Sequence, residues 1–222
     1  MQHRALLKYF LFLRAHWNLQ LALFTIRHEI SGEKKYGIDT LGVDDLKNAD
    51  VKSSNKKHAY IYQPASYYLL KKSFDFLNAD FDKSGFVDYG CGKGRVMAVA
   101  AFNGYKNISG IDFSLPLCEV ARKNIDKIKC FFPTSNFKTL CMDATEYEIQ
   151  KEDTTFFFFN PFDDVVMLQV VKNILASQKK IPREIVIVYL NPLFKEIFLA
   201  AGFEEVYSYS KLDYLEVSIL LK

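Results

Sequence analysis

The 222-residue sequence predicts an α/β protein: a doubly wound, seven-stranded sheet closed by an antiparallel hairpin and preceded by a helical extension. Three observations carry this reading. From about residue 65 onward, short apolar runs alternate with stretches of helical periodicity, the βαβ pattern of a parallel sheet. The last two strand-like runs, Phe203 to Tyr209 and Tyr214 to Leu221, have only Ser210 to Asp213 between them, which permits a hairpin and excludes a parallel crossover. Between the first strand and its helix lies Asp88-Tyr-Gly-Cys-Gly-Lys-Gly94, with glycines on alternate positions. Half of the residues are hydrophobic, enough at this length for one substantial core.

The elements follow in chain order. Leu6, Phe10, Leu13, Trp17, Leu21 and Phe24 fall on one side of a helix within the first 30 residues, with Arg4 and Lys8 opposite. The longest apolar run there, Tyr9 to Leu13, is ended by Arg14; a signal peptide needs a longer run, and a membrane span needs roughly 20 apolar residues. The stripe therefore reads as packed on the domain or on a second subunit, as in a homodimer, with peripheral membrane contact as the alternative. From Ser31 to Lys57, Gly, Asp, Lys, Ser and Asn dominate and periodicity disappears, which reads as a lid, binding segment or linker. The expected division is a helix and lid or linker at 1–60, followed by the main domain at 61–222.

In that domain a helix covers about Ala65 to Asn78, burying Tyr67, Leu70, Phe74 and Leu77. The first strand is Phe86 to Tyr89 and its helix Gly94 to Asn103; the second strand is Ile108 to Asp112. Leu115 to Ile128 form a helix with Leu117, Ala121, Ile125 and Ile128 inward and Arg122, Lys123 and Lys127 outward. The third strand is Phe137 to Cys141. The fourth, Thr155 to Phe159, is almost pure phenylalanine, as a strand covered on both faces should be. A helix with Val166, Val170 and Ile174 inward leads to the fifth strand, Glu184 to Leu190. The next helix ends at Ala201, before the C-cap glycine Gly202.

Lys and Arg (29) nearly balance Asp and Glu (26), giving a formal charge of +3 and no strong nucleic-acid footprint. Cys91, Cys118, Cys130 and Cys141 show no C-x-x-C pairing and no nearby histidine pattern, so no zinc site is expected and reduced thiols of a cytoplasmic protein are the simplest reading.

Glycines suit a loop where a ligand meets bare backbone and φ takes values that side chains resist. The helix behind such a loop aims its free N–H groups and positive dipole end at the occupant. In open α/β sheets ligands bind at the carboxyl ends of the strands, near the reversal of strand order. Asp112 ends the second strand, 22 residues beyond Gly90, where a carboxylate accepts both hydroxyls of a ribose. Met142-Asp143-Ala144 follows the third strand, and Asn160-Pro161-Phe162 the fourth. The G-x-G-x-G spacing differs from the G-x-G-x-x-G of dinucleotide folds.

With these motifs and the closing hairpin, the chain from about Tyr62 to its end resembles the class I S-adenosylmethionine (SAM)-dependent methyltransferases, which are Rossmann-like. Val87-Asp-Tyr-Gly-Cys-Gly-Lys-Gly-Arg-Val96, with Asn160-Pro-Phe162, is similar to a poorly characterised bacterial group of them, and more distantly to the non-SET histone-lysine methyltransferases. Tyr36-Gly-Ile-Asp-Thr40 and Tyr62-Gln-Pro64 are similar to elements of that bacterial group. The resemblance implies SAM as cofactor, with Asp88 at the methionine amine and Tyr89, Gly90, Cys91, Gly92 and Gly94 in the loop. Cys91 and Lys93 supply backbone amides there. Asp112 belongs to the ribose and Asp143 and Met142 to the adenine, with Phe113, Ala144 and Asn160 also among the cofactor-binding residues. Tyr62 either closes over the cofactor or starts the next helix.

Asn160-Pro161-Phe162 resembles the Asn/Asp-Pro-Pro-Tyr/Phe motif of amino-group methyltransferases without its second proline. In that motif the Asn amide and a backbone carbonyl accept hydrogen bonds from the target nitrogen and the aromatic ring covers it, which makes these three the catalytic candidates. Asn is equally a helix N-cap and Pro a favoured N1 residue, and Asn191-Pro192 repeats the pair before the next helix. His3, His16, His28 and His58 all precede the core motifs, so a His base is not expected. Tyr60, Tyr62, Tyr67 and Tyr68 are candidates for the substrate side. Three readings follow: a methyltransferase acting on an amine of a protein or small molecule, a catalytically silent SAM- or adenosine-binding partner subunit, and a nicotinamide dehydrogenase. The glycine spacing and the hairpin count against the last.

Overall fold

Strands that are apolar on both faces have to be covered on both faces, and three such strands form the middle of the molecule. The computed structural model describes residues 2–42, 62–78 and 80–222. Every residue of β1 (Gly85–Tyr89), β4 (Thr155–Phe158) and β5 (Val186–Leu190) is buried. β2 (Asn107–Asp112) and the partly exposed β3 (Asn136–Cys141) extend the sheet on one side; β6 (Glu204–Lys211) and β7 (Leu215–Leu221) extend it on the other. The order is β3-β2-β1-β4-β5-β7-β6, parallel through the first five, with β7 antiparallel to both of its neighbours. This is the seven-stranded sheet with a terminal hairpin that the sequence predicts. The hairpin turns through Leu212 (φ 56°) and Asp213 (φ 57°), a left-handed pair whose twist suits a tight connection.

Side chains alternate between two cores. On one face Phe86, Ile108, Phe157 and Val188 meet Leu70 and Phe74 of α3 (Tyr67–Leu77), Met97 of α4 (Arg95–Phe102) and Ile125 of α5 (Leu115–Ile128). On the other, Val87, Tyr89, Phe156, Phe158 and Ile187 meet Met167, Val170 and Ile174 of α6 (Asp164–Lys180) and Phe198 of α7 (Lys195–Ala200). Strand order reverses between β1 and β4, so their carboxyl ends open on one crevice.

The N-terminal segment departs from the expected single helix and loop. The chain forms α1 (Gln2–His16) and α2 (Leu19–Tyr36), broken where Asn18 caps α2 by accepting the Leu21 N–H at 2.7 Å. α2 then runs on through Ser31 to Tyr36 and stops at Gly37, which is left-handed at φ 68°. Two contacts explain the continuation. Gly32 lies against Tyr67, whose ring comes within 2.2 Å of where a Cβ would stand. Glu29 and Glu33 are buried because Arg95, at the start of α4, reaches both, with Nη1 2.5 Å from Glu29 Oε2 and Nη2 3.1 Å from Glu33 Oε1. Arg95 Nε also donates to Thr40 Oγ1 (2.7 Å) and Nη1 to the Ala65 carbonyl (2.7 Å), and the guanidinium lies 4.0 Å over the Tyr67 ring.

Leu7, Leu11, Leu19, Leu23 and Ile30 of these two helices remain exposed. Among the described residues no helix is long and apolar enough to cross a membrane. The expected boundary at 60/61, His58 and Tyr60 lie outside the described residues.

Removing one partner of a buried ion pair costs roughly 3–5 kcal/mol, because a buried charge is left uncompensated. Arg95→Met is therefore expected to lower the unfolding free energy by about that amount at pH 7. Burial already raises the Glu29 carboxyl and Arg95 opposes the rise. Without the guanidinium the folded state holds its protons more tightly than the unfolded chain does, so stability relative to wild type recovers as pH falls. Urea unfolding at neutral and mildly acidic pH checks this; an equal deficit at both would show that the charges are not its source.

Candidate functional site

A cleft enclosing about 920 Å³, part of it open to solvent, lies at the carboxyl ends of β1 to β4. β1 delivers Asp88, which is buried and whose Oδ2 has no hydrogen-bond partner. Burial first, and then the charge of Asp112, push its carboxyl well above the usual range. A buried carboxylate oxygen without a donor is costly unless a ligand supplies one.

The glycine loop is folded by two acceptors at the end of β2. The N–H groups of Gly90 and Cys91 donate to the Ile111 carbonyl (2.8 and 3.0 Å), and that of Gly92 to Asp112 Oδ2 (2.9 Å). Gly90 and Gly92 are left-handed, at φ 77° and 51°. Both also make room for protein groups: a Cβ on Gly90 would stand 2.4 Å from Pro161 Cβ, and one on Gly92 2.3 Å from the Tyr62 ring. Gly94 starts α4 against Ala121. Bare backbone for a ligand is thus only part of the reason for the motif: Gly90 and Cys91 line the cleft, whereas Gly92 and Gly94 serve the packing around it.

Asp112 accepts a second amide, Ser114 N, on Oδ1 at 2.8 Å. Burial lifts its carboxyl to about 6, and the amides it accepts oppose the rise. Each carboxylate oxygen keeps a further lone pair. Asp143 holds the 3-10 turn Ala144–Glu146 by accepting Thr145 N (2.9 Å) and Thr145 Oγ1 (2.7 Å) on Oδ1. Phe113, Met142 and Ala144 complete this wall. Tyr62 covers the loop from outside, its hydroxyl donating to the Thr40 carbonyl at 2.8 Å. Lys93 contributes its side chain too, with Nζ 5.0 Å over the Tyr62 ring and donating to the Leu41 carbonyl at 3.0 Å. Tyr89 is not brought to the cleft: its ring lies in the opposite core, 5.2 Å from Phe158.

Asn160 leaves β4 with φ 43°. Its Nδ2 donates to the Asn191 carbonyl (2.7 Å) and its Oδ1 accepts the Tyr189 hydroxyl (2.8 Å). The helix-entry reading is corrected here. The N-cap of α6 is Asp163, whose Oδ1 accepts Val166 N, and α7 begins only at Lys195. Asn191 (φ 45°) instead exchanges hydrogen bonds with Glu216 of β7, both at 2.9 Å. Pro161 and Phe162 line the cleft, and Phe162 also packs edge-on to Phe158 and Tyr89.

The sequence reading missed Arg95 and Phe159 among the lining residues. A lone cation opening an otherwise apolar helix was the available signal for Arg95; Phe159 sat at the end of a strand already assigned. No group of His, Cys, Asp or Glu that could hold a metal occurs among the described residues.

Residues 86–180 match a family model described as a methyltransferase domain. No curated protein matches at the sequence level. Solved structures with the same fold include the Pyrococcus abyssi tRNA (uracil-54, C5)-methyltransferase in complex with S-adenosyl-L-homocysteine. It is 17% identical, with a TM-score of 0.51 over 72% of this chain, which spans only 41% of that protein. A Leishmania major SAM-dependent methyltransferase is 12% identical, with a TM-score of 0.52 over 69% of this chain and 71% of the other. A Streptococcus thermophilus rRNA methylase is 15% identical, with a TM-score of 0.51 over 74% and 98%. At such identities the structures speak for the fold, and the family model speaks for residues 86–180. The strand order is thus that of the class I methyltransferase fold, and residues 86–180, which include the glycine loop, are similar to a methyltransferase domain.

Proposed function

We propose that the protein binds SAM in the cleft and transfers its methyl group to an amine nitrogen of a small molecule or protein. One observation carries the cofactor assignment: Asp88, a buried carboxylate in the cleft wall with an oxygen that nothing in the protein satisfies. A cationic ligand such as the α-ammonium of SAM is the counter-group that such an oxygen requires. Asp112 then faces the ribose hydroxyls, and Asp143 and Met142 the adenine.

When bound, SAM supplies a methyl group on a positive sulfur with a neutral leaving group, so the protein's task is mainly alignment. Asn160 suits that task. Tyr189 and Asn191 hold opposite ends of its amide, which fixes the orientation of the group and leaves Oδ1 one further lone pair for an N–H of the acceptor. A base is not required of this residue.

Asp88→Asn removes the countercharge at constant size and is expected to weaken SAM binding by about ten- to a hundred-fold in calorimetry. Unchanged affinity would dismiss Asp88. For wild type, affinity is expected to rise with pH between about 5.5 and 7.5, below the titration of an α-amine. The sign follows from the raised carboxyls: Asp88 has to be ionised to meet the ammonium, and Asp112, lifted to about 6, has to be ionised to accept both ribose hydroxyls. A flat profile would contradict it.

With labelled SAM and a cell extract, Asn160→Ala is expected to lower transfer by about a hundred-fold while SAM affinity stays within about three-fold, the signature of lost alignment. A wild-type protein that binds SAM and labels nothing is instead the catalytically silent subunit.

A further inference from the structure

A second cavity, with about 440 Å³ of empty space that is partly open to solvent, adjoins the first. Gln63, Pro64 and Phe159 line both, forming the partition between them. The two asparagines straddle this partition: Asn160 lines the cleft, and Asn191, whose carbonyl it holds, lines the second cavity. Tyr9 and Leu13 of α1 and Leu21 and Thr25 of α2 supply the outer wall, so the N-terminal helices are what enclose it.

The chemistry of its lining differs from that of the cleft. The cleft carries Asp88, Asp112, Asp143 and Arg95, whereas no charged side chain is among the described residues that line the second cavity. One polar group there is unused. Ser66 occupies the N-cap position of α3, where a serine ordinarily accepts a helix N–H, yet it makes no cap bond and its buried Oγ has no partner. A hydroxyl withheld from its helix and buried without a partner in an uncharged wall is costly unless an occupant bonds to it.

We infer that this cavity holds the methyl acceptor, and that the acceptor is an uncharged, largely apolar small molecule: an aromatic amine or nitrogen heterocycle with a polar group for Ser66. The inference rests on the methyltransferase reading and narrows its amine. A protonated alkylamine would be a buried cation without a carboxylate. A nucleic acid would require cations along its path.

N-phenyl-1-naphthylamine, an uncharged aromatic amine that brightens in apolar surroundings, serves as the probe on the full chain. It is expected to bind protein already saturated with S-adenosylhomocysteine. Thr25→Trp, which fills the cavity from α2, is expected to weaken the probe by about ten-fold or more and to leave S-adenosylhomocysteine affinity within about two-fold. Leu21→Phe, a smaller intrusion, gives the same ordering with a lesser effect if Thr25→Trp fails to fold.

Competition between probe and S-adenosylhomocysteine, or indifference of the probe to these substitutions in a folded protein, would overturn the assignment. In an extract with labelled SAM, label is expected in solvent-extractable small molecules and is expected to fall in Thr25→Trp. Label confined to protein or RNA would overturn the acceptor class. Failure of wild type to bind S-adenosylhomocysteine would instead overturn the cofactor reading beneath it.

Discussion

A guanidinium buried directly behind the glycine loop is the constraint on which the arrangement of this molecule depends. Arg95 is only 2% exposed, and its partners come from α2, from Thr40 and from the Ala65 carbonyl before α3. These segments are far apart in sequence, and the same side chain opens α4 and lines the cleft. Any movement of α2 therefore reaches the loop through charged hydrogen bonds, the strongest kind available. Such a cluster is weak evidence for stability, since a well-packed apolar substitute often does as well. What the cluster provides is position: it allows one placement of the N-terminal helices, the placement that encloses the second cavity.

The opposite wall is fixed by backbone rather than by charge. Asn160 and Asn191 leave adjacent parallel strands in the left-handed region, which asparagine tolerates better than most residues. Each is held there by bonds that a helix cap would not make. Asn160 leans on Asn191 and Tyr189, and Asn191 on the backbone of Glu216 in β7. The insertion of β7 beside β5 thus matters beyond the strand order, because it supplies the atoms that hold the second turn in place and, through it, the first. Backbone strain of this kind persists where its surroundings over-determine it, and functional sites are where it concentrates.

Legibility in the sequence followed the range of the interactions. α5 was read as Leu115 to Ile128, its observed extent, because its signals are local: apolar spacing, an N-terminal proline and outward lysines. β4 was legible from phenylalanine alone, one residue too long. Ser31 to Tyr36 was misread as loop because Gly32 and Glu33 look solvated until their partners appear. Those partners are Tyr67 and Arg95, and Arg95 is 62 residues beyond Glu33. Positive φ at Asn160 and Asn191 has no local signal that separates a strand exit from a helix cap. Tyr89 was recoverable. It follows Asp88 in a strand, and neighbours in a strand point to opposite faces; assigning both to one site contradicted that alternation.

The two cavities differ in a way that bears on the order of events. Three carboxylates stand around the first and none around the second. The raised carboxyls of Asp88 and Asp112 express the cost of burying charge in the first. On the proposed reading, methylation of a neutral amine would move positive charge from the cofactor side of the partition to the acceptor side. Asp88 would keep its counter-ion, because the α-ammonium stays on the demethylated cofactor, whereas the second cavity would gain a charge that it cannot pair. That change would weaken the hold on the methylated product until the new ammonium passes its proton to water. A cavity without acids therefore favours a weakly basic acceptor twice: it admits the neutral form before transfer and disfavours the charged form after it.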